Sequence, residues 1–272
     1  MSSPPAASWA AACAGFHNAY LVPFGDRLSE QLPFGDLALT SDTVAAFRRQ
    51  AEGAGLRITT MLSPISSTRT VARCKLLVDQ AEQLGVKYII DFGIHGGESV
   101  DEYVALMRHV AEHAGGKGMH ISMKLHDVVS DATAPVLGPL AAIHDAVGHP
   151  AFGLCMDPGN VIYFTAEASM AGGGAQVGTF QLPTDGLAAE AHRFNTFIIS
   201  DAIVAEDGSP DVMVQPGEGL VDHAAVLATL RRGGFSGPIC LENVPGETEP
   251  EVLANYRHAR QFMHKLEAAA TL

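Results

Sequence analysis

From residue 34 onward the chain alternates short apolar runs with longer stretches in which apolar residues recur every three or four positions. The runs predict buried strands, and the 3.6-residue recurrence predicts helices that bury one face. Phe34–Leu39 reads as a strand. Ser41 and Asp42 are N-cap types opening a helix with Val44, Phe47 and Ala51 on one face, ended by Gly55. Leu56–Met61 is the next strand. Val71, Cys74, Val78, Ala81 and Leu84 mark a helix with Gly85 at its C-cap position, followed by the strand Val86–Phe92. Ser99 and Glu102 have capping-box spacing ahead of Val100, Tyr103, Met107, Val110 and Ala114. The strand His120–Leu125, the helix Val136–Val147 and the strand Phe152–Met156 come next. Residues 170–182, with Gly172–Gly174, read as loop. A helix near Leu187–Phe194, the strand Thr196–Ser200, the helix Asp222–Arg232, the strand Pro238–Leu241 and a closing helix Val252–Leu266 complete the pattern.

Such alternation predicts parallel strands joined by crossover helices. Seven strands are clear counting back from the end. An eighth is expected within residues 8–18, although Trp9–Ala14 reads equally as helix. A length of 272 residues suits eight βα units, which need about 250. The expected fold is therefore a single (β/α)8 TIM barrel over residues 1–272 with a divergent first strand. A doubly wound open sheet is the alternative.

Composition narrows the function. Hydrophobic residues make up 47% and charged residues 17%, enough apolar material for a large core. The net charge of −13 and the lack of a basic stripe argue against a nucleic-acid partner. Cys13, Cys74, Cys155 and Cys240 lie far apart with no CxxC pair, which fits reduced thiols and a cytoplasmic location. No basic region precedes the apolar patch Trp9–Phe16, and no apolar run approaches the roughly 20 residues of a membrane span.

In a barrel of this kind the chemistry sits at the C-terminal ends of the strands. That rule selects Asp91 and His95, Lys124 and His126, Asp157 and Asn160, Ser200 and Asp201, and Glu242. Strand alternation puts Lys124 and His126 on one face with Ser122. Several of these also have plain structural readings. His95 lies in the turn Gly93–Gly97, Asn160 suits a loop-fixing hydrogen bond, and Gly217–Gly219 permit a tight bend. Cys155 and Cys240 fall inside apolar runs and read as core.

The segments Met123–His126, Gly153–Asn160, Gly217–Asp222 and Gly233–Glu242 resemble signature segments of the xylose isomerase-like sugar phosphate isomerase/epimerase family. The resemblance runs from about Leu56 to the C-terminus. It implies a divalent cation, Mn2+ or Mg2+, held by Glu, Asp, His and Glu from strands five to eight, and no organic cofactor. Asp157 matches the second of these ligands and Glu242 the fourth. Lys124 occupies the first position and Ile198 the third, with His126 retained two residues after the first. Two arrangements stay open. In one, the Lys124 ammonium stands where a metal would otherwise stand. In the other, the metal is held by His126, Asp157, Glu242 and water.

The resemblance makes Lys124, His126 and Glu242 the catalytic candidates and His95, Asn160 and Asp201 the substrate-binding ones. The activity expected is proton abstraction beside the carbonyl of a small sugar, giving isomerisation or epimerisation. With no basic cluster at the strand ends, a neutral sugar is expected rather than a phosphate. One alternative is a lyase or hydratase cleaving 3-keto-glycosides, including C-glycosides, by β-elimination. The other is a sugar-binding or partner subunit without catalysis. A homo-oligomer is compatible with the resemblance, and no interface is legible.

Overall fold

The computed structural model describes residues 18–21, 41–63, 70–94, 99–125, 137–168, 184–242 and 244–270. They fall into two compact units. The first holds the described residues up to Lys124 together with Ile143–Leu154. The second holds the described residues of Leu125–Ala142 and those from Cys155 onward.

In the first unit, β1 (Asn18–Leu21), β2 (Arg57–Leu62), β3 (Tyr88–Asp91) and β4 (His120–Lys124) pair in parallel in chain order. The helices α1 (Ser41–Gly53), α2 (Val71–Leu84) and α3 (Val100–Gly115) provide the crossovers. The first strand thus starts at the last residue of the expected window; Trp9–Ala14 and the expected strand Phe34–Leu39 lie outside the described residues. β1 pairs directly with β2, with a register shift between Ala19 and Tyr20.

The predicted punctuation is in place. Gly85 takes the left-handed conformation, φ 93°, that closes α2. Ser99 and Glu102 form a reciprocal capping box at the start of α3. Apolar side chains from both layers, among them Leu77, Val78, Ile89, Met107, Val110 and Ile121, are buried between strands and helices.

The helix α4 (Pro139–Val147) and the strand β5 (Phe152–Met156) each cross from one unit to the other. The second unit continues with α5 (Pro158–Ala168), α6 (Thr184–Glu190), a 3-10 turn Ala191–Arg193 and β6 (Phe194–Ile199). Then come a small antiparallel ribbon of β7 (Ile203–Val204) and β8 (Pro210–Asp211), α7 (His223–Arg232), β9 (Ile239–Leu241) and α8 (Glu249–Ala270). β9 pairs with β6 in parallel.

Two elements here differ from expectation. The stretch after β5 is a helix rather than a loop, because Asp157 accepts from Asn160 N at 3.1 Å as an N-cap and Pro158 takes the first helical position. The β7–β8 ribbon is too short to leave a period-2 signal. The glycine-rich segment 172–174 lies outside the described residues.

Candidate active site

In the first unit, the pleat sorts the strand-end residues into two faces. Asp91 is fully buried, and its Oδ2 accepts from Tyr103 Oη at 3.0 Å and from Gly93 N at 3.0 Å. Tyr103 belongs to α3, so the face of β3 carrying Asp91 is the one packed on that helix. The opposite face carries Tyr88, Ile90 and Phe92. The parallel register sets Tyr88 beside His120 and Ile90 beside Ser122. Continuing it brings Phe92 level with Lys124. Side-chain contacts agree: Tyr88 and His120 stack at 5.1 Å, and the Lys124 Nζ lies 5.8 Å from the centre of the Phe92 ring.

Lys124 therefore ends β4 on the face turned away from α3. It is 2% exposed, the only buried Lys or Arg among the described residues. Asp91, the other strand-end candidate of this unit, is turned toward the helix layer instead. His95 and His126 lie outside the described residues.

In the second unit, Asp157 and Asp201 are both fully buried but do different work. Asp157 Oδ1 accepts from Ser200 Oγ and from Asn160 N, while Oδ2 accepts from Asn160 Nδ2 at 2.7 Å. Asn160 is thus turned onto Asp157. Gly159 makes this possible, since a Cβ there would lie 2.5 Å from Ser200 Oγ and 2.8 Å from its carbonyl oxygen.

Asp201 binds main chain throughout. Oδ1 accepts from Ala202 N (2.9 Å) and Val221 N (3.1 Å), and Oδ2 from Gly217 N (2.9 Å) and Gly219 N (3.0 Å). The bend foreseen at Gly217–Gly219 is folded around this carboxylate. A Cβ on Gly219 would collide with Asp201 itself.

Phe197 packs against Phe235, which follows α7, so Phe197 marks the helix side of β6. Ile198 and Ser200 face the other way. Ile198 pairs with Cys240, Ile199 with Leu241, and Glu242 N donates to Ile199 O at 3.0 Å. Glu242, half-buried, accordingly follows Cys240 at the level of Ser200.

Strand-end reasoning missed His223 altogether. It is 2% exposed and its Nε2 donates to Ser200 O at 2.9 Å, with its ring edge-on to Phe262. Burial pushes its imidazole below the usual range, opposed by the carboxylates of Asp201 and Asp157. The only sequence signal was its place just after the N-cap Asp222.

These residues do not by themselves make a metal centre. Among the described residues no three His, Cys, Asp or Glu side chains gather as a ligand set. The Asp157 carboxylate is already engaged by three hydrogen-bond donors. A dication needs several hard donors converging on one point. What the described residues do supply is, in the first unit, a buried amine on the face of β4 turned away from α3 and, in the second, a half-buried carboxylate just after β9.

The family profile described as a xylose isomerase-like TIM barrel matches residues 10–266. No functionally curated protein matches the chain in sequence. Solved structures match over nearly the whole length. A xylose isomerase-like TIM-barrel protein from Mycobacterium smegmatis, in complex with magnesium, has a TM-score of 0.69 at 16% identity, covering 97% of this chain and 90% of that one. A xylose isomerase domain protein from Alicyclobacillus acidocaldarius gives 0.67 at 19%, covering 100% and 96%. A D-psicose 3-epimerase from Clostridium cellulolyticum H10, with D-tagatose, gives 0.67 at 13%, covering 98% and 94%. At such identities the likeness establishes the fold, which is the TIM barrel and not the doubly wound sheet.

Proposed function

The chain belongs to the xylose isomerase-like TIM-barrel family, and from that premise we propose that it is an enzyme interconverting small neutral sugars by moving a proton beside a carbonyl. The observation that carries this reading is Lys124: a lysine withdrawn from water, at the C-terminal end of a barrel strand, on the face turned away from α3. A cation so placed activates a carbonyl. The family resemblance makes Glu242 the base candidate of the proposal, a carboxylate able to remove and return a proton beside a carbonyl. Asp157, held by Ser200 and Asn160, fixes the start of α5. The epimerase with D-tagatose supports a ketose as the substrate class. His126 and His95 stay with the reading as groups that orient the sugar.

The test is exchange of the sugar's α-hydrogen. Wild-type protein with D-fructose or D-tagatose in D2O should incorporate deuterium next to the carbonyl, followed by NMR. Glu242→Gln should slow this by about 10²–10⁴-fold, the range for losing a general base. Wild-type protein that releases the aglycone from a 3-keto-glycoside, yet exchanges no ketose hydrogen, would move the activity to β-elimination.

The magnesium bound by the M. smegmatis relative makes a metal-dependent version the rival. The proposal routes no step through a metal, given the donors already on Asp157. Exchange should therefore survive dialysis against a chelator; loss on dialysis with recovery on adding Mg2+ or Mn2+ would decide for the rival.

A further inference from the structure

Nothing in the chemistry above uses the fact that Lys124 is a primary amine rather than simply a positive charge. We propose that Lys124 is a nucleophile, condensing with the ketone carbonyl of the substrate to form an imine. The inference rests on the carbonyl-sugar reading just given and specifies its mechanism.

Three observations carry it. The first is the side: the Asp91–Tyr103 hydrogen bond identifies the helix face of β3, and the β3–β4 register then puts Lys124 on the opposite face. The second is depth. A 2% exposed lysine at a strand end is shielded from bulk water, the setting in which lysines act as imine-forming nucleophiles. Exclusion of water also protects the imine once formed. The third is the neighbour. The Phe92 ring, 5.8 Å from Nζ, presents an aromatic surface that tolerates the neutral amine and also attracts the cationic imine. One ring thus accommodates the side chain through both states of the cycle.

The step balances without a further reagent. The amine nitrogen adds to the carbonyl carbon to give a carbinolamine, whose hydroxyl takes a proton from solvent and leaves as water to give the protonated imine, and that proton is released again when the imine is hydrolysed. Its positive nitrogen draws electrons from the adjacent C–H bond. A base takes that proton, leaving an enamine. Reprotonation at the same carbon and hydrolysis by water return the amine and the epimerised ketose. A lysine that only polarised the carbonyl would never be bonded to the sugar, so the two roles are separable.

The experiment is reductive trapping. Full-length protein is incubated with dihydroxyacetone or D-fructose and sodium cyanoborohydride, and the product is analysed by intact-mass and peptide mass spectrometry. The expected result is one reduced sugar per chain, on the peptide carrying Lys124. The chain's other lysines, Lys75, Lys87, Lys117 and Lys265, serve as internal controls. Lys124→Met should lose the adduct, with circular dichroism confirming the fold. Lys124→Arg keeps the charge and should lose both adduct and deuterium exchange.

If wild type exchanges the ketose hydrogen but carries no adduct at Lys124, or if Lys124→Arg retains exchange, the imine is overturned and the proposed function stands. If wild type neither exchanges nor is trapped, both fall.

Discussion

At the scale of single residues, buried carboxylates of this chain that read alike in sequence are told apart by what they accept. Asp201 takes four backbone N–H groups, three of them from the bend between Gly217 and Val221. Hydrogen bonds to a charged acceptor contribute about 1.5–3 kcal/mol each, and buried donors left unmade cost comparable amounts. Asp201→Ala should therefore lower stability by about 3 kcal/mol or more in urea unfolding. Asp201→Asn, which keeps one acceptor oxygen, should fall between it and wild type. Equal stability of all three proteins would show that the bend does not depend on this anchor.

At the scale of elements, a buried polar contact links β3 to α3. Tyr103 Oη donates to Asp91, which also accepts from Gly93 N. Tyr103→Phe keeps the ring and removes the donor. It should reduce stability by about 1–2 kcal/mol, read as a lower urea midpoint, while leaving deuterium exchange into a ketose at the wild-type rate. A large loss of exchange with unchanged stability would instead place Asp91 in the chemistry. The same reasoning explains α5. One cap residue and one proline turned a presumed loop into a helix and drew Asn160 onto Asp157.

At the scale of the whole molecule, pH connects the network to stability. Burial lowers the proton affinity of His223, and of His120 likewise, below that of an exposed imidazole near 6.5. Below that pH the unfolded chain binds protons that the folded chain refuses. Stability is then fully present above the unfolded pKa and is lost as pH falls from about 6.5 toward the depressed folded values. The urea midpoint should drop between pH 7.5 and 5.5. His223→Gln should flatten the decline, since each such proton adds at most about 1.4 kcal/mol per pH unit. A decline unaltered by the substitution would assign it to other groups. No described helix is long and apolar enough to cross a membrane, and the net charge of −13 gives no attraction for nucleic acid.

What the sequence by itself determined was the alternation of elements and their punctuation. The apolar runs located β2 to β6 and β9, Gly85 ended α2, and the Ser99–Glu102 spacing opened α3, because each depends on neighbours a few residues away. The strand-end rule picked out Lys124, Asp157, Asp201 and Glu242 for the same reason: an apolar run stops at each. Only the tertiary structure decided which way those side chains face and what occupies them. Asp91 turns to a tyrosine 12 residues on, Asp157 to a serine 43 residues on, and Asp201 to amides 16–20 residues on. Period-2 alternation is blind to which of two buried faces meets a helix, since both are apolar in a barrel. His223 escaped notice because its partner, the Ser200 carbonyl, is a backbone atom. A backbone acceptor leaves no mark in the sequence at the position that supplies it.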